Sequence, residues 1–394
     1  MHILQVFNQY LEPGGEEEWV NQMLRLGGEG FSIEDLRFHS GAWMGLGAPS
    51  RWRQAAMLWN NPQACALLRK RVETSKPDAL LFHNLVPVAS FGMYDEAAKV
   101  GLPVLQYVHN FRPFSPSGSL WLKDRVNAGA LHGNPWSEVF SRSWERSFLR
   151  TFLMALQQRR LILGGTLDVV KRWIAVSDFM RDRFIEAGLP AERVVSLRHC
   201  WRARPQIRPA GERRHYLFLG RMVAEKGIQT LFDAWKILER RLGASCPRLI
   251  IAGVGPLEAQ AHAWANRMDR VTCVGFVGGT VKDELLLTCR GLIAPSVWWE
   301  PLGLIVHEAY DVARPVLAAR SGGLTETVSP GVTGLLHDPG NSEQLADDVE
   351  RLESLGSSGR AQMGEAGRQW LLANASPEEW RERFVRIVED ATRK

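Results

Sequence analysis

Arg221 and Lys226 stand five residues apart in Gly220-Arg221-Met222-Val223-Ala224-Glu225-Lys226-Gly227, directly after the apolar run Tyr216–Leu219. Arginine offers a planar fork for phosphate oxygens and lysine a mobile point charge, so the pair could neutralise a diphosphate, including one that gains charge as it leaves. Taken alone, the octet reads equally well as two solvated surface cations. It has company in Pro295-Ser296-Val297-Trp298-Trp299-Glu300-Pro301-Leu302-Gly303-Leu304-Ile305-Val306-His307-Glu308-Ala309. Pro301 suits the start of a helix, and free amides near Gly303 and Leu304 would make an anion site that needs no side chain. Glu300 would then precede the helix and Glu308 lie about two turns inside it. Both carboxylates can accept hydrogen bonds from sugar hydroxyls, whereas a carboxylate beside a diphosphate would be repelled. Trp298 and Trp299 add two bulky rings that would either stack on a sugar or wedge the loop.

Such residues need strand ends to hold them. Apolar runs at Ile3–Phe7, Ala79–Phe82, Val104–Val108 and Trp173–Val176 alternate with helical patterns and end at polar positions. A second series comprises Tyr216–Leu219, Arg248–Ala252, Val271–Val274, Gly291–Ala294 and Pro315–Ala318. Strand alternating with helix predicts a parallel sheet covered on both faces. The basic, proline-broken stretch Trp201–Pro209 reads as a linker between two doubly wound α/β domains, residues 1–205 and 206–375. A capping box at Ser376-Pro377-Glu378-Glu379 predicts a C-terminal helix over 376–394 that crosses back to the first domain. Ligands of open α/β sheets sit outside the carboxyl ends of the strands, which predicts a cleft between the domains.

Together with Ala252-Gly253-Val254-Gly255-Pro256-Leu257 and Gly322-Gly323-Leu324-Thr325-Glu326, these motifs resemble the large retaining "glycosyl transferase group one" family, nearly continuously from Tyr216 to about Leu352. The resemblance implies the GT-B fold, two Rossmann-like domains of which the C-terminal one holds a nucleotide-diphosphate sugar. By the family's pattern Arg221, Lys226 and the amides of Gly303 and Leu304 would bind the donor diphosphate, Glu308 the ribose, and Glu300 the transferred sugar. It also implies backbone contacts from Cys273-Val274-Gly275-Phe276-Val277 to the nucleotide base.

In the N-terminal half, Pro13-Gly14-Gly15-Glu16 looks like the family's glycine loop, with Gly14 and Gly15 close to donor phosphate or acceptor. The plain alternative is a strand-to-helix turn. His109, after Gln106-Tyr107-Val108, matches the strand-end histidine that similar enzymes place beside the transferred sugar, although a strand-end histidine alone is more often structural. His83-Asn84 ends the preceding strand and would face acceptor. Ser177 is read as an N-cap. The roughly sixty residues between Arg112 and Arg172 are long for a connection and should set acceptor specificity. Within them Arg142, Arg146 and Arg150 recur opposite Trp144, Phe148 and Phe152, which predicts a basic amphipathic helix from Ser141 through Leu156. That helix would either lie on an anionic inner leaflet or pack on its own domain.

Several classes are excluded or disfavoured. The net charge of +5 suits anionic ligands, but no basic tail or zinc-finger spacing points to nucleic acid. No Gly-x-Gly-x-x-Gly opens a helix, which disfavours a nicotinamide dehydrogenase. No Asp-x-Asp triplet or His/Cys cluster supplies a metal site, so leaving-group stabilisation is expected to be metal-independent and no cofactor is expected, the nucleotide sugar being a co-substrate. Five scattered cysteines and the absence of a signal or spanning segment predict a cytoplasmic protein, peripheral to the inner membrane if the basic helix docks there. The expected activity is retaining hexosyl transfer from a nucleotide-diphosphate sugar to a hydroxyl of a sugar or lipid-linked sugar, in cell-envelope polysaccharide or glycolipid assembly. The alternatives are a nucleotide-sugar epimerase or hydrolase, a sugar phosphorylase, or a non-catalytic nucleotide-sugar binding protein.

Overall fold

The computed structural model describes residues 1–11, 14–28, 30–163, 165–207 and 213–393. Contacts divide the chain into two units, one formed by 1–122, 127–199 and 377–394, the other by 123–126 and 200–376. Pro13 of the glycine loop and Arg208 and Pro209 of the expected linker lie outside the described residues, as does Lys394.

The first unit carries six parallel strands in the order Ser32–His39, His2–Gln9, Ala79–Phe82, Val104–Val108, Val170–Ala175, Val194–Ser196. Central strands such as Ile3–Phe7 and Ala79–Phe82 are buried along their whole length, because helices cover both faces of a parallel sheet. The two edge strands escape the apolar-run pattern. Ser32–His39 buries only Leu36 and Phe38 among charged neighbours, and Val194–Ser196 is three residues long. The helix Gly15–Leu26 places Glu16, Glu17 and Glu18 in its first turn and Arg25 in its last, as its dipole favours, and buries Trp19, Val20, Met23 and Leu26. The C-terminal helix Pro377–Thr392 belongs to this unit. Its Trp380 meets Trp19 edge-on at 5.2 Å and its Phe384 meets Phe31 at 5.4 Å.

The expected helix over Ser141–Leu156 is corrected. Arg142, Glu145 and Arg146 have left-handed backbones (φ 54°, 51° and 53°), and the helix runs Phe148–Leu163. Ser147 starts it, its Oγ accepting from the Arg150 amide at 3.4 Å. Ser177 does cap the helix Asp178–Glu186, accepting from the Met180 amide at 3.2 Å.

The second unit carries six parallel strands in the order Val271–Gly275, Arg248–Ala252, His215–Leu219, Cys289–Ala294, Val316–Ala319, Gly334–His337. This is the doubly wound order that reverses direction between the first and fourth strands of the unit. The helix Ile228–Leu242 seats Leu231, Phe232, Trp235 and Leu238 in the core, and the buried Trp235 indole donates to the Pro247 carbonyl at 3.0 Å. The described part of the expected linker is pinned to this unit. Trp201 donates its amide to Ala375, and Arg204 bonds Asp311 through both its amide and its guanidinium at 2.8 and 2.9 Å. No described helix is long and apolar enough to cross a membrane.

Candidate functional sites of the two units

In the second unit the strand order reverses between His215–Leu219 and Cys289–Ala294, where ligands of such sheets bind. The segments that leave those strands carry the residues singled out in the sequence. Gly227 has φ +75°, and a Cβ there would stand 1.9 Å from the Pro295 carbonyl oxygen, so only glycine lets the two segments lie together. The Val297 amide donates to the Glu225 carbonyl at 2.9 Å and closes the pairing. Lys226 is thereby delivered to Glu300, its Nζ at 2.9 and 2.6 Å from Oε1 and Oε2. Ser296 Oγ and the Trp298 indole also donate to Oε2, at 2.9 and 3.0 Å. Burial alone would raise the Glu300 carboxyl, but the Lys226 charge and these donors outweigh it and hold it below its usual range. Glu300 is a fixed anion, 9% exposed.

Trp298 is buried and belongs to the support of Glu300, with Lys226 Nζ 5.4 Å from its ring centre. The helix begins at Leu304, not at Pro301, because Gly303 caps it in a left-handed conformation. Glu308 is therefore its fifth residue and sits 3.0 Å from Lys282 Nζ. The Leu304 and Ile305 amides precede any carbonyl of their own helix, the arrangement by which a helix start can meet an anion, while the Val306 amide already donates to the Gly303 carbonyl at 2.9 Å. Arg221 keeps its side chain 63% exposed, with Glu225 at 3.9 Å. A diphosphate would thus find one exposed arginine, one lysine already oriented and one helix start. Cys273 lies in the strand Val271–Gly275, and Phe276 beyond it is 78% exposed.

In the first unit the order reverses between His2–Gln9 and Ala79–Phe82, and a second polar cluster lies at those strand ends. His109 Nε2 is 2.9 Å from His83 Nδ1, and His109 Nδ1 is 3.1 Å from His199 Nε2. His83 Nε2 is 3.1 Å from Gln5 Oε1, and Gln5 Nε2 donates to Asp35. An amide oxygen only accepts, so His83 Nε2 carries a proton and its Nδ1 does not. His109 then donates from Nε2 and accepts at Nδ1 from His199. His83 and His109 are thereby each held in one tautomer. Burial agrees, pushing His109 down to about 3 and His83 well below the usual imidazole range, and protonating either ring would further oppose protonation of the other. Both His109 nitrogens are engaged by other histidines.

Beside this chain lies Glu16, which the sequence carried only as the last residue of the glycine-loop motif. Its Oε1 accepts from the Asn84 amide at 3.2 Å, and its Oε2 accepts from Tyr10 Oη at 2.9 Å and Asn110 Nδ2 at 3.3 Å. Burial raises its carboxyl to about 7. Glu16, Asn84, His109, Asn110 and Arg112 line one cavity of this unit. Gly14 precedes the helix in an extended conformation, and Gly15 is its first residue. The three acids that follow make this helix start a poor partner for phosphate. Tyr10, Asn110 and His199 could not be found from spacing. Gln5 could, as a polar residue inside an otherwise apolar central strand.

Among the described residues no cluster of three or more His, Cys, Asp or Glu is placed to hold a metal ion.

Residues 201–370 match the family described as "Glycosyl transferases group 1". The chain is 32% identical over 327 residues to an alpha-D-kanosaminyltransferase of Streptomyces kanamyceticus, covering 78% of this chain and 75% of that protein. It is also 32% identical over 233 residues to a GDP-mannose-dependent alpha-(1-6)-phosphatidylinositol monomannoside mannosyltransferase of Mycobacterium tuberculosis, covering 54% of this chain and 59% of that relative's length. The Anabaena protein HepE, solved in complex with UDP, shares the fold with a TM-score of 0.63 at 16% identity, over 99% of this chain and 100% of that one. The fold is GT-B.

Proposed function

Because the chain belongs to the family of glycosyl transferases group 1, we propose that it moves a hexosyl unit from a nucleotide-diphosphate sugar to a hydroxyl of a sugar or glycolipid acceptor, with retention at the anomeric carbon. The observation that carries this reading is Glu300, ionised and braced by Lys226, Ser296 and Trp298 at the switch point of the second sheet. A carboxylate held this way accepts hydrogen bonds from sugar hydroxyls in a fixed direction, while the Lys226 charge that braces it is also there to meet phosphate oxygens. Arg221 and the amides at Gly303 and Leu304 complete the diphosphate site, and Glu308 takes the ribose. Support for a nucleotide donor comes from relatives, one named for GDP-mannose and one solved with UDP. Support for transfer of a sugar unit comes from the relative named as a kanosaminyltransferase, and support for a glycolipid acceptor from the one named for phosphatidylinositol monomannoside.

In the reaction the bond from the anomeric carbon to the diphosphate oxygen breaks, leaving an oxocarbenium-like centre. The acceptor oxygen bonds to that carbon on the same face. Its proton passes to a leaving phosphate oxygen, so no protein nucleophile is required. Arg221, Lys226 and the helix amides offset the charge that develops on the leaving group, a task that needs no metal ion in this reading. Glu16, His83-Asn84 and the glycine loop at Gly14 and Gly15 serve the acceptor, and His109 is a neutral ring held in place by its two histidine neighbours.

Calorimetric titration with UDP, GDP and ADP and their sugar conjugates, with and without magnesium, tests the donor site. Metal-independent binding of one nucleotide family is expected, lost in Lys226→Ala. Product analysis then separates transfer from its rivals, since free sugar or sugar phosphate in place of a glycoside would overturn the assignment.

A further inference from the structure

The first unit exposes large apolar side chains that its own core does not use, and they gather at one edge. The helices Arg51–Trp59 and Phe148–Leu163 run side by side in the same direction, since Arg150 Nη2 donates to Gln54 at 3.2 Å and Gln157 Nε2 donates to the Trp59 carbonyl at 3.0 Å. Their N-terminal ends are therefore neighbours. Trp52, 78% exposed, stands at the start of one, and exposed Phe148 and Leu149 at the start of the other. Phe140, 75% exposed, places its ring 6.3 Å from that of Phe148. The loop carrying exposed Met44 and Leu46 is tied to the same end, because Gln54 Nε2 donates to the Trp43 and Pro49 carbonyls at 3.0 and 2.9 Å.

The charge around this apolar edge has one sign. Residues 44–59 and 140–153 contain five arginines, Arg51, Arg53, Arg142, Arg146 and Arg150, and a single acid, Glu145. Glu145 pairs with Arg150 within the patch. The left-handed turns at Arg142 and Arg146 put those two arginines in the exposed segment before the helix. Exposed tryptophan, phenylalanine and leucine beside Arg51, Arg53, Arg142 and Arg146, for which no ion pair is seen among the described residues, have the amphipathic chemistry of an interfacial anchor, apolar tips for the acyl boundary and cations for headgroups.

We infer that this edge, formed by the starts of the Arg51–Trp59 and Phe148–Leu163 helices with Met44, Leu46 and Phe140, docks the protein on an anionic lipid surface. A protein partner would need acids matched to each arginine, whereas a lipid surface supplies negative charge without a fixed pattern and accepts apolar tips at any position. The inference stands independently of the proposed reaction, because it uses none of the residues placed at either candidate site.

Flotation of the full chain with phosphatidylcholine vesicles containing phosphatidylglycerol, against vesicles of phosphatidylcholine alone, tests it. Binding to the anionic vesicles only is expected, weakening as salt rises. Arg51→Gln, Arg53→Gln and Arg146→Gln should each weaken it about five-fold, and Trp52→Ser and Phe140→Ser should weaken it further while the circular dichroism spectrum and thermal unfolding stay unchanged. Equal binding to both vesicle types, or no binding, would overturn the inference. So would self-association in sedimentation that Trp52→Ser and Phe140→Ser abolish, because the edge would then be an interface between copies of the chain.

Discussion

Lys226 and Glu300 depend on each other, so removing either reveals what the other does. In Lys226→Ala the Glu300 carboxylate keeps only Ser296 and Trp298 as donors in a buried position, and part of the pair's burial penalty goes unanswered. The expected cost is about 2–3 kcal/mol of stability, discounted for partial exposure, with nucleotide-diphosphate binding lost; undiminished binding by calorimetry would remove Lys226 from the phosphate site. Glu300→Gln keeps the size and most hydrogen bonds, so binding of the nucleotide should survive while turnover falls about 10²–10³-fold; unchanged turnover would remove Glu300 from the sugar. Both residues were legible from their strand-end positions. Their pairing was not, since 74 residues separate them and no local spacing records the contact. The bond from Trp298 to Glu300 was hidden too, because an indole N–H gives no sign in sequence of the acid it will serve. Glu16 makes a prediction of a different kind. Its carboxyl titrates near 7 in the folded chain and near 4.5 when unfolded, so the folded chain holds the extra proton between those values. Its contribution to stability is present below pH 4.5 and is lost as pH rises through 7, by roughly 3 kcal/mol. The buried histidines act in the opposite direction, since His109 is depressed to about 3 and its contribution is lost as pH falls below about 6.5. Comparing Glu16→Gln with the parent at each pH cancels the histidine effect, and urea unfolding should show the variant gaining on the parent between pH 4.5 and 8. A difference that does not change with pH would mean that Glu16 titrates normally.

At the scale of elements, the glycines of the second unit join segments rather than merely ending helices. Gly227 has both a left-handed backbone and a carbonyl 1.9 Å from where a Cβ would be, while Gly340 has the backbone (φ +81°) and open space around it. Gly340→Ala should cost only the conformational term, about 1 kcal/mol. Gly227→Ala must also push the 220–227 segment off Pro295, so it should cost about 2 kcal/mol or more and weaken nucleotide binding through the displaced Lys226. Equal effects of the two substitutions in thermal unfolding and calorimetry would show that the close approach does not set the site. The central strands were readable because burial on both faces demands unbroken apolar runs. Edge strands can be relieved of that demand, which is why Ser32–His39 and Val194–Ser196 left no such signature, whereas the edge strand Gly334–His337 is mostly buried but too short, and too broken by Gly334 and His337, to read as an apolar run. The segment before Phe148 misled in the reverse direction. Aromatic residues four apart imitate a helix face, yet Ser147 caps the true start and the residues before it turn left-handed.

For the whole molecule, two sheets with separate switch points divide the chemistry between two constellations that differ in charge. The second unit offers Arg221, Lys226 and a helix start free of acids in its first turn, whereas the first unit's helix start carries Glu16, Glu17 and Glu18. Charge therefore favours a diphosphate at the former over the latter. Hydrogen exchange with and without the nucleoside diphosphate selected by calorimetry reads out this partition directly. At a ligand concentration about a hundred times Kd the bound state gains about 2.7 kcal/mol, which should slow exchange at 220–227, 253–257, 296–304 and 322–326. The segments at 14–18, 83–85 and 109–112 should exchange as before. Protection at Gly14 and Gly15 with the nucleotide alone would place donor phosphate at the acidic helix start, and the acceptor role given to that loop would have to be abandoned. Protection there only when an acceptor is added would tie the Glu16 cavity to the second substrate, leaving the charge-based division intact.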